Sequence, residues 1–299
     1  MNQNVDILMT VGHRLKKEFL VWGRLVKFSH SVFALPFALS VVVILWEFVS
    51  FSSVFWIVVC LVSARTSAMG FNRLVDCGID SQNPRTANRE LPQGVVSSRS
   101  VVVLVTISSL VFFLGAAMLG EHCLLLAPFV LGFLLLYSYS KRFTDFSHMI
   151  LGLSLALAPG GVWYALTSDV SWLPLPLMIG VLFWVAGFDI LYSCQDYAFD
   201  RLHGLRSFPS TFGVPCAMQI AYWLHVVALF FFALFGVCMK LGLIYYCGVG
   251  IFALILLSQH RLVSPKDLSR IDQAFFTRNG LASVAFFIAV ALDKLFQLG

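Results

Sequence analysis

The sequence predicts an all-α integral membrane protein of about nine transmembrane helices. Of its 299 residues 59% are hydrophobic and only 12% charged. Mean hydropathy is +0.88, and apolar runs of about 20 residues, the length that crosses a bilayer core, recur along the whole chain. A water-facing domain carries about 25% charged residues, so lipid is the solvent that suits this balance. The 29 Phe residues fit lipid-facing helices and by themselves say nothing about chemistry. The seven Cys are scattered with no C-x-x-C pair, so they read as small apolar fillers rather than a zinc site or a disulfide framework. The formal charge of +5 follows membrane topology and implies no nucleic-acid partner.

Taken in order, residues 1–27 are expected to form a cytoplasmic, partly amphipathic lead-in. The apolar run Val5–Val11 is short, contains Asp6 and is followed by no small-residue cleavage site, which argues against a signal peptide. Spans are then expected over 29–49, 53–73, 100–120, 122–140, 147–167, 172–193, 216–238, 241–259 and 277–297. The polar pair Glu121-His122 between the third and fourth reads as a tight hairpin. With these spans, 17 of the 20 Lys and Arg residues fall on one side, from Arg14, Lys16 and Lys17 through Arg278. Lys240 and Lys294 fall on the other, and Arg65 lies within a span. The excess of positive charge marks the cytoplasmic side. The expectation is therefore a multi-pass protein of the cell (inner) membrane, N-terminus inside.

Two expected cytoplasmic segments are rich in acid. The first runs Asn72-Arg-Leu-Val-Asp76-Cys-Gly-Ile-Asp80 and continues to Arg85 and Arg89; the second runs Asp189-Ile-Leu-Tyr192-Ser-Cys-Gln-Asp196-Tyr-Ala-Phe-Asp200-Arg201. Each contains D-x-x-x-D, and on a helix carboxylates at i and i+4 share one face about 5–6 Å apart. Like charges so close suit a cation between them. Mg²⁺ binds one or two carboxylates and takes its remaining ligands from water and substrate phosphates. Arg85, Arg89, Arg201, Lys141 and Arg142 are candidates to grip those phosphates directly. Asp76, Asp80, Asp196 and Asp200 are the candidate metal ligands. The competing reading is a pair of solvated helix ends with incidental charge. Two copies, at the ends of spans two and six and on the same side, favour a shared site and an internal duplication. Arg65 lies seven residues before Asn72, two turns deeper on about the same face. An ionisable residue within a span faces protein or a cavity.

At these residues the chain resembles the UbiA superfamily of intramembrane aromatic prenyltransferases, over nearly its whole length. Lys27-Phe-Ser-His30 through Phe33-Ala-Leu-Pro36-Phe37 looks like the first-helix signature, and Arg65 through Asp80 like the first Asp motif. Pro84-Arg85-Thr86 to Arg89-Glu-Leu-Pro92 looks like the segment that follows it. Tyr137-Ser-Tyr-Ser-Lys141-Arg142-Phe-Thr144 with His148 is similar to the third conserved loop, and Asp189 through Asp200 to the second Asp motif. The resemblance implies one domain over 1–299, with nine helices around a central cavity. It implies Mg²⁺-dependent transfer of a polyprenyl group from its diphosphate to a small aromatic acid of the 4-hydroxybenzoate type, in quinone biosynthesis. Asn72-Arg73 stands where many members have Asn-Asp, which resembles a branch that includes dihydroxynaphthoate prenyltransferases of menaquinone biosynthesis. An ion-coupled secondary transporter is the reading of another class, but transporter sites lie near the bilayer midplane at broken helices.

The chemistry assigns roles within that expectation. Carboxylate-held Mg²⁺ offsets charge on a leaving diphosphate; Arg65, Lys141, Arg142 and Arg201 assist electrostatically, and Asn72 offers an amide. Tyr192 turns a ring face toward an allylic cation or serves as an interfacial anchor. Asp189 orients that cation or takes a proton. Arg65 is the preferred partner for an acceptor carboxylate. The topology is testable: reporter fusions after Ser168 and Lys240 are expected to read as external and fusions after Ser207 as cytoplasmic. The reverse pattern would overturn the expected orientation.

Overall fold

Helix α2 shows how the chain sets its own architecture. In the computed structural model, which describes residues 18 and 20–297, α2 runs Phe51–Gln82 as one 32-residue helix. At 1.5 Å per residue that is about 48 Å, well beyond a 30 Å hydrocarbon core. Ser50 caps its start by accepting from the Ser53 amide at 3.0 Å. Pro84 ends it, because the residue before a proline is pushed out of the helical region and Asn83 is extended at φ −87° and ψ 118°. The expected span 53–73 is therefore corrected. The helix continues past it, and Asp76 and Asp80 ride on that extension.

The first span is corrected in the other direction. Phe28–Phe33 is a 3₁₀ turn, and α1 is only Leu35–Ile44, with Pro36 in its first turn. Proline lacks an N–H and clashes with the preceding turn, so an α-helix does not extend back through it. The remaining elements are α3 (Ser98–Leu119), α4 (Glu121–Leu136), α5 (Ser147–Thr167), α6 (Leu175–Ser193), α7 (Tyr197–Leu202), α8 (Phe208–Phe212), α9 (Val214–Cys238), α10 (Leu243–Leu262) and α11 (Asn279–Gln297). A 3₁₀ turn, Tyr137–Arg142, extends α4, and a π-helical turn, Gln273–Arg278, leads into α11. Among the described residues eight helices are long and apolar enough to cross a membrane, with Phe28–Ile44 a ninth, shorter apolar segment. The chain is a multi-pass membrane protein. Arg14, Lys16 and Lys17, counted in the charge bias, lie outside the described residues.

Helix α2 packs on α3, α3 on α4, α5 on both α1 and α6, α6 on α9, and α10 on α11, which returns to α1. Phenylalanine does more here than face lipid. Phe37, Phe232, Phe252 and Phe286 are fully buried with Trp184, and knit α1, α6, α9, α10 and α11 into one core. Ring centroids of Phe37 lie 4.9 Å from Phe286 and 5.1 Å from Trp184 with the planes tilted, within the roughly 4.5–7 Å separation of aromatic pairs. Large apolar side chains such as Leu110, Leu125, Phe129 and Phe230 cover the outside.

Gly152 sets the spacing of α5 and α6. A Cβ there would collide with the backbone carbonyl of Leu182, so only glycine lets the two helices approach this closely. Gly152→Val is expected to destabilise the fold by about 1–3 kcal/mol through overpacking. A lower thermal-unfolding midpoint in detergent would show it, and an unchanged midpoint would contradict it.

Candidate active site

Residues 65, 72, 76 and 80 recur at spacings of seven and four, so they form one stripe along α2. That stripe lines a cavity of about 220 Å³ at the motif-bearing end of the bundle. The second motif reaches the same cavity differently. Asp189 and Tyr192 project from the last turns of α6, Asp196 from the 3₁₀ turn Cys194–Asp196, and Asp200 from α7. Arg85, Arg89, Lys141 and Arg142 complete the set, so twelve of the thirteen residues singled out above line one cavity. Arg201 does not. It follows inward-facing Asp200 by one position, about 100° around the helix, and its guanidinium instead donates to the Tyr197 hydroxyl at 2.8 Å.

The two motifs touch through the segment after α2. Arg85 donates to both oxygens of Asp196, Nε to Oδ1 at 2.8 Å and Nη2 to Oδ2 at 2.6 Å, and Asn83 donates to Oδ1 at 3.1 Å. Arg89 pairs with Asp80 at 2.6 Å, and Thr86 donates to the Asp80 carbonyl at 3.1 Å. Asp76 accepts from Asn72 at 2.9 Å and lies 3.7 Å from Arg142. Asp200 accepts from the Ser207 hydroxyl at 3.0 Å. Burial opposes the Arg85 charge, but the hydrogen bond and charge pairing with Asp196 outweigh it and hold the guanidinium above its usual range. Burial, with Arg73 and Arg89 nearby, pulls the Lys27 ammonium below its usual range.

Several lining residues escaped the sequence reading. Lys27 and His30 come from the turn before α1, Arg73 from α2, Ser138 and Ser140 from the turn around Lys141, and Phe275 from the π-helical turn. Lys27 and His30 stood inside a quoted motif. Phe275 had no signal, because its position depends on the extra residue of the π turn. Asn279 donates to the Phe275 carbonyl at 2.7 Å and so stabilises that turn, which stacks Phe275 on Tyr192 at 4.1 Å. Arg65 donates to the Lys27 carbonyl at 3.2 Å. Its Nε is buried without a partner, as are the hydroxyls of Ser138 and Ser140.

A second cavity of about 490 Å³ adjoins the first, and Arg65, Met69, Asn72, Tyr137, Leu151 and Leu155 line both. Its walls are apolar, including Leu61, Phe112, Leu134 and Trp163, and it extends to Asp169–Ser171 at the far ends of the helices. The site is thus a charged head joined to a long apolar channel. The sequence profile of the UbiA prenyltransferase family matches residues 33–289.

The chain belongs to the UbiA prenyltransferase family.

Relatives of this UbiA-family chain include a 4-hydroxybenzoate octaprenyltransferase of Nitrosomonas eutropha, 28% identical over 77% of this chain and 80% of its own length. One of Vibrio atlanticus is 26% identical over 76% and 81%. Among solved structures, an apo UbiA homolog from Aeropyrum pernix K1 superposes with a TM-score of 0.77 at 29% identity, covering 90% of this chain and 98% of that one. An Archaeoglobus fulgidus homolog bound to DMAPP and Mg²⁺ has a TM-score of 0.65 at 17% identity, over 91% and 99%, a likeness of fold alone.

The residues present suit a hard divalent cation. Each motif offers a pair of carboxylates and Asn72 adds an amide oxygen, the oxygen-only donor set Mg²⁺ prefers. Among the described residues no three His, Cys, Asp or Glu side chains converge on one point. Arg85→Leu is expected to cost about 1–3 kcal/mol by leaving buried Asp196 without its strongest partners. Adding Asp196→Asn is expected to recover part of that loss. Equal stability of all three proteins in a thermal-unfolding cycle would remove the clamp from the account.

Proposed function

We propose that this chain transfers a polyprenyl group from polyprenyl diphosphate to a small aromatic acid of the 4-hydroxybenzoate type, as a step of ubiquinone biosynthesis in the cell membrane. The observation that carries the reading is the joined pair of cavities. Carboxylates and cations surround the polar head, and a channel of about 490 Å³ with apolar walls leads away from it. Diphosphate and polyprenyl tail ask for those two environments side by side. The names of the Nitrosomonas and Vibrio relatives support the same substrates. The relatives described favour hydroxybenzoate over dihydroxynaphthoate as acceptor.

Asp76, Asp80, Asp196 and Asp200 would hold Mg²⁺, which when bound offsets charge on the departing diphosphate. Arg85 and Arg89 now grip carboxylates and exchange them for phosphate oxygens when substrate arrives. Lys141 with the unpartnered Ser138 and Ser140 hydroxyls supplies further donors. Tyr192, Phe188 and Phe275 present ring faces and edges to an allylic cation, and the apolar channel keeps water from it. Arg65, which lines both cavities and has an unpartnered Nε, would take the acceptor carboxylate. The orientation with the polar site toward the cytoplasm follows from the charge bias.

Membranes containing the chain, supplied with octaprenyl diphosphate, Mg²⁺ and 4-hydroxybenzoate, are expected to yield an adduct heavier by the prenyl group, measured by mass. Chelation is expected to abolish it. Asp76→Asn and Asp196→Asn are each expected to lower turnover by on the order of 100-fold or more while the protein still inserts. Near-normal turnover in either variant at saturating Mg²⁺ would overturn the metal assignment.

A further inference from the structure

Asp189 differs from the other carboxylates of the cavity in its partner. Guanidinium groups pair with Asp76, Asp80 and Asp196, and a serine hydroxyl donates to Asp200. Asp189 Oδ2 instead lies 2.6 Å from Nδ1 of His148. His148 is fully buried on α5 and does not line the cavity, whereas Asp189 does. Its Nε2 is buried without a partner. The ring stacks on Phe208 at 5.8 Å, and Ser207, which precedes Phe208, holds Asp200. His148 and Gly152 occupy the same face of α5, one turn apart. The close approach at Gly152 brings α5 near enough to α6 for this contact.

A carboxylate accepts only, so with Asp189 ionised the imidazole must carry its proton on Nδ1 and donate it. The bond holds Oδ2 and involves only that oxygen, and Asp189 lines the cavity one helical turn from Tyr192 and beside Phe188. A guanidinium in the same place would tie up both oxygens and compete with a proton for them. A single imidazole N–H orients the carboxylate and leaves one oxygen open.

We propose that His148 is a positioning residue that holds Asp189 as the proton acceptor for the aromatic ring; the proposal rests on the prenyltransferase reading above. In the transfer, the allylic C–O bond breaks and its electron pair leaves with the diphosphate. The ring carbon beside the hydroxyl, the activated position left open when the carboxylate occupies the para carbon, forms the new C–C bond. That carbon must then lose its proton, and the open oxygen of Asp189 receives it. His148 changes neither partner's covalent bonding. It keeps the acceptor oxygen in place.

Three variants of the full chain in membranes test this: His148→Phe, which can keep the stacking on Phe208 and deletes the donor; His148→Asn, whose amide N–H replaces Nδ1–H; and Asp189→Asn. His148→Phe is expected to lower kcat roughly 100-fold, the scale of a misplaced catalytic group, with KM for the prenyl diphosphate unchanged. His148→Asn is expected to return kcat to within about tenfold of wild type. In the Asp189→Asn background, His148→Phe is expected to cause no further loss, because contacting groups that act as one unit are not additive. An equal loss in the Phe and Asn variants, a rise in KM for the diphosphate, or additive losses in the double variant would each overturn the positioning role. If His148→Phe fails to insert, the Asn variant and its double with Asp189→Asn decide the matter by the same criteria. Wild-type chain that yields no adduct with any aromatic acid overturns the prenyltransferase reading, and this inference with it. Active wild-type chain with a fully active His148→Phe variant overturns the inference alone.

Discussion

Asp196 is 5% exposed in a protein whose surroundings are largely hydrocarbon, and a carboxylate there needs partners or it does not stay charged. Its partners come from the other motif. Arg85 reaches both of its oxygens and Asn83 one of them, although they lie more than 100 positions away in sequence. The pairing joins the end of α2 to the end of α6, and Arg89 on Asp80 completes the strap. Much of the rest follows from that connection. With their ends tied, the stripe from Arg65 to Asp80 and the acids from Asp189 to Asp200 enclose a single volume.

The strap also explains how charge can be concentrated without cancelling the site's purpose. Seven cationic side chains and five carboxylates line the cavity, an excess that suits an anionic ligand. The partners that hold the acids in place are themselves good phosphate ligands, since arginine binds carboxylate and phosphate with the same planar fork. On the proposed function, exchange of one anion for the other would leave few charges unpaired along the way. The adjoining channel contributes by a different physics, because burial of apolar surface has no direction. On the function proposed above, charge and geometry would fix one end of the substrate, and the channel would keep the other out of water.

The aromatic core positions this arrangement rather than decorating it. Trp184 donates to Asn279 at 3.1 Å, and Asn279 in turn holds the π-helical turn that carries Phe275. One buried hydrogen-bond chain therefore links the centre of the core to a ring on the cavity wall. The Ser207–Phe208 turn plays a matching part on the other side, with one residue on Asp200 and the next on His148. Each device ties a side chain of the site to an element that is rigid for other reasons.

The membrane class and most helix positions were legible in sequence because each rests on a local property, and twelve of the thirteen residues singled out there line one cavity. Apolar runs have the length of a bilayer, D-x-x-x-D has the period of a helix, and the motif set Lys27–Pro36, Arg65–Asp80 and Asp189–Asp200 resembles the family by residue type in chain order. What sequence could not decide were matters of angle and distance. The run of α2 to Gln82 is not among them, because Pro84 marks it locally where hydropathy alone stops at Arg73. Arg201 differs from Asp200 by one position, and that rotation turns it away from the cavity. The pairing of Arg85 with Asp196, of His148 with Asp189, and of Phe275 with Tyr192 joins residues with no common period. Only packing of the helices brings such residues together, because a hydrogen bond or a stacked ring depends on separation in space and is indifferent to separation along the chain.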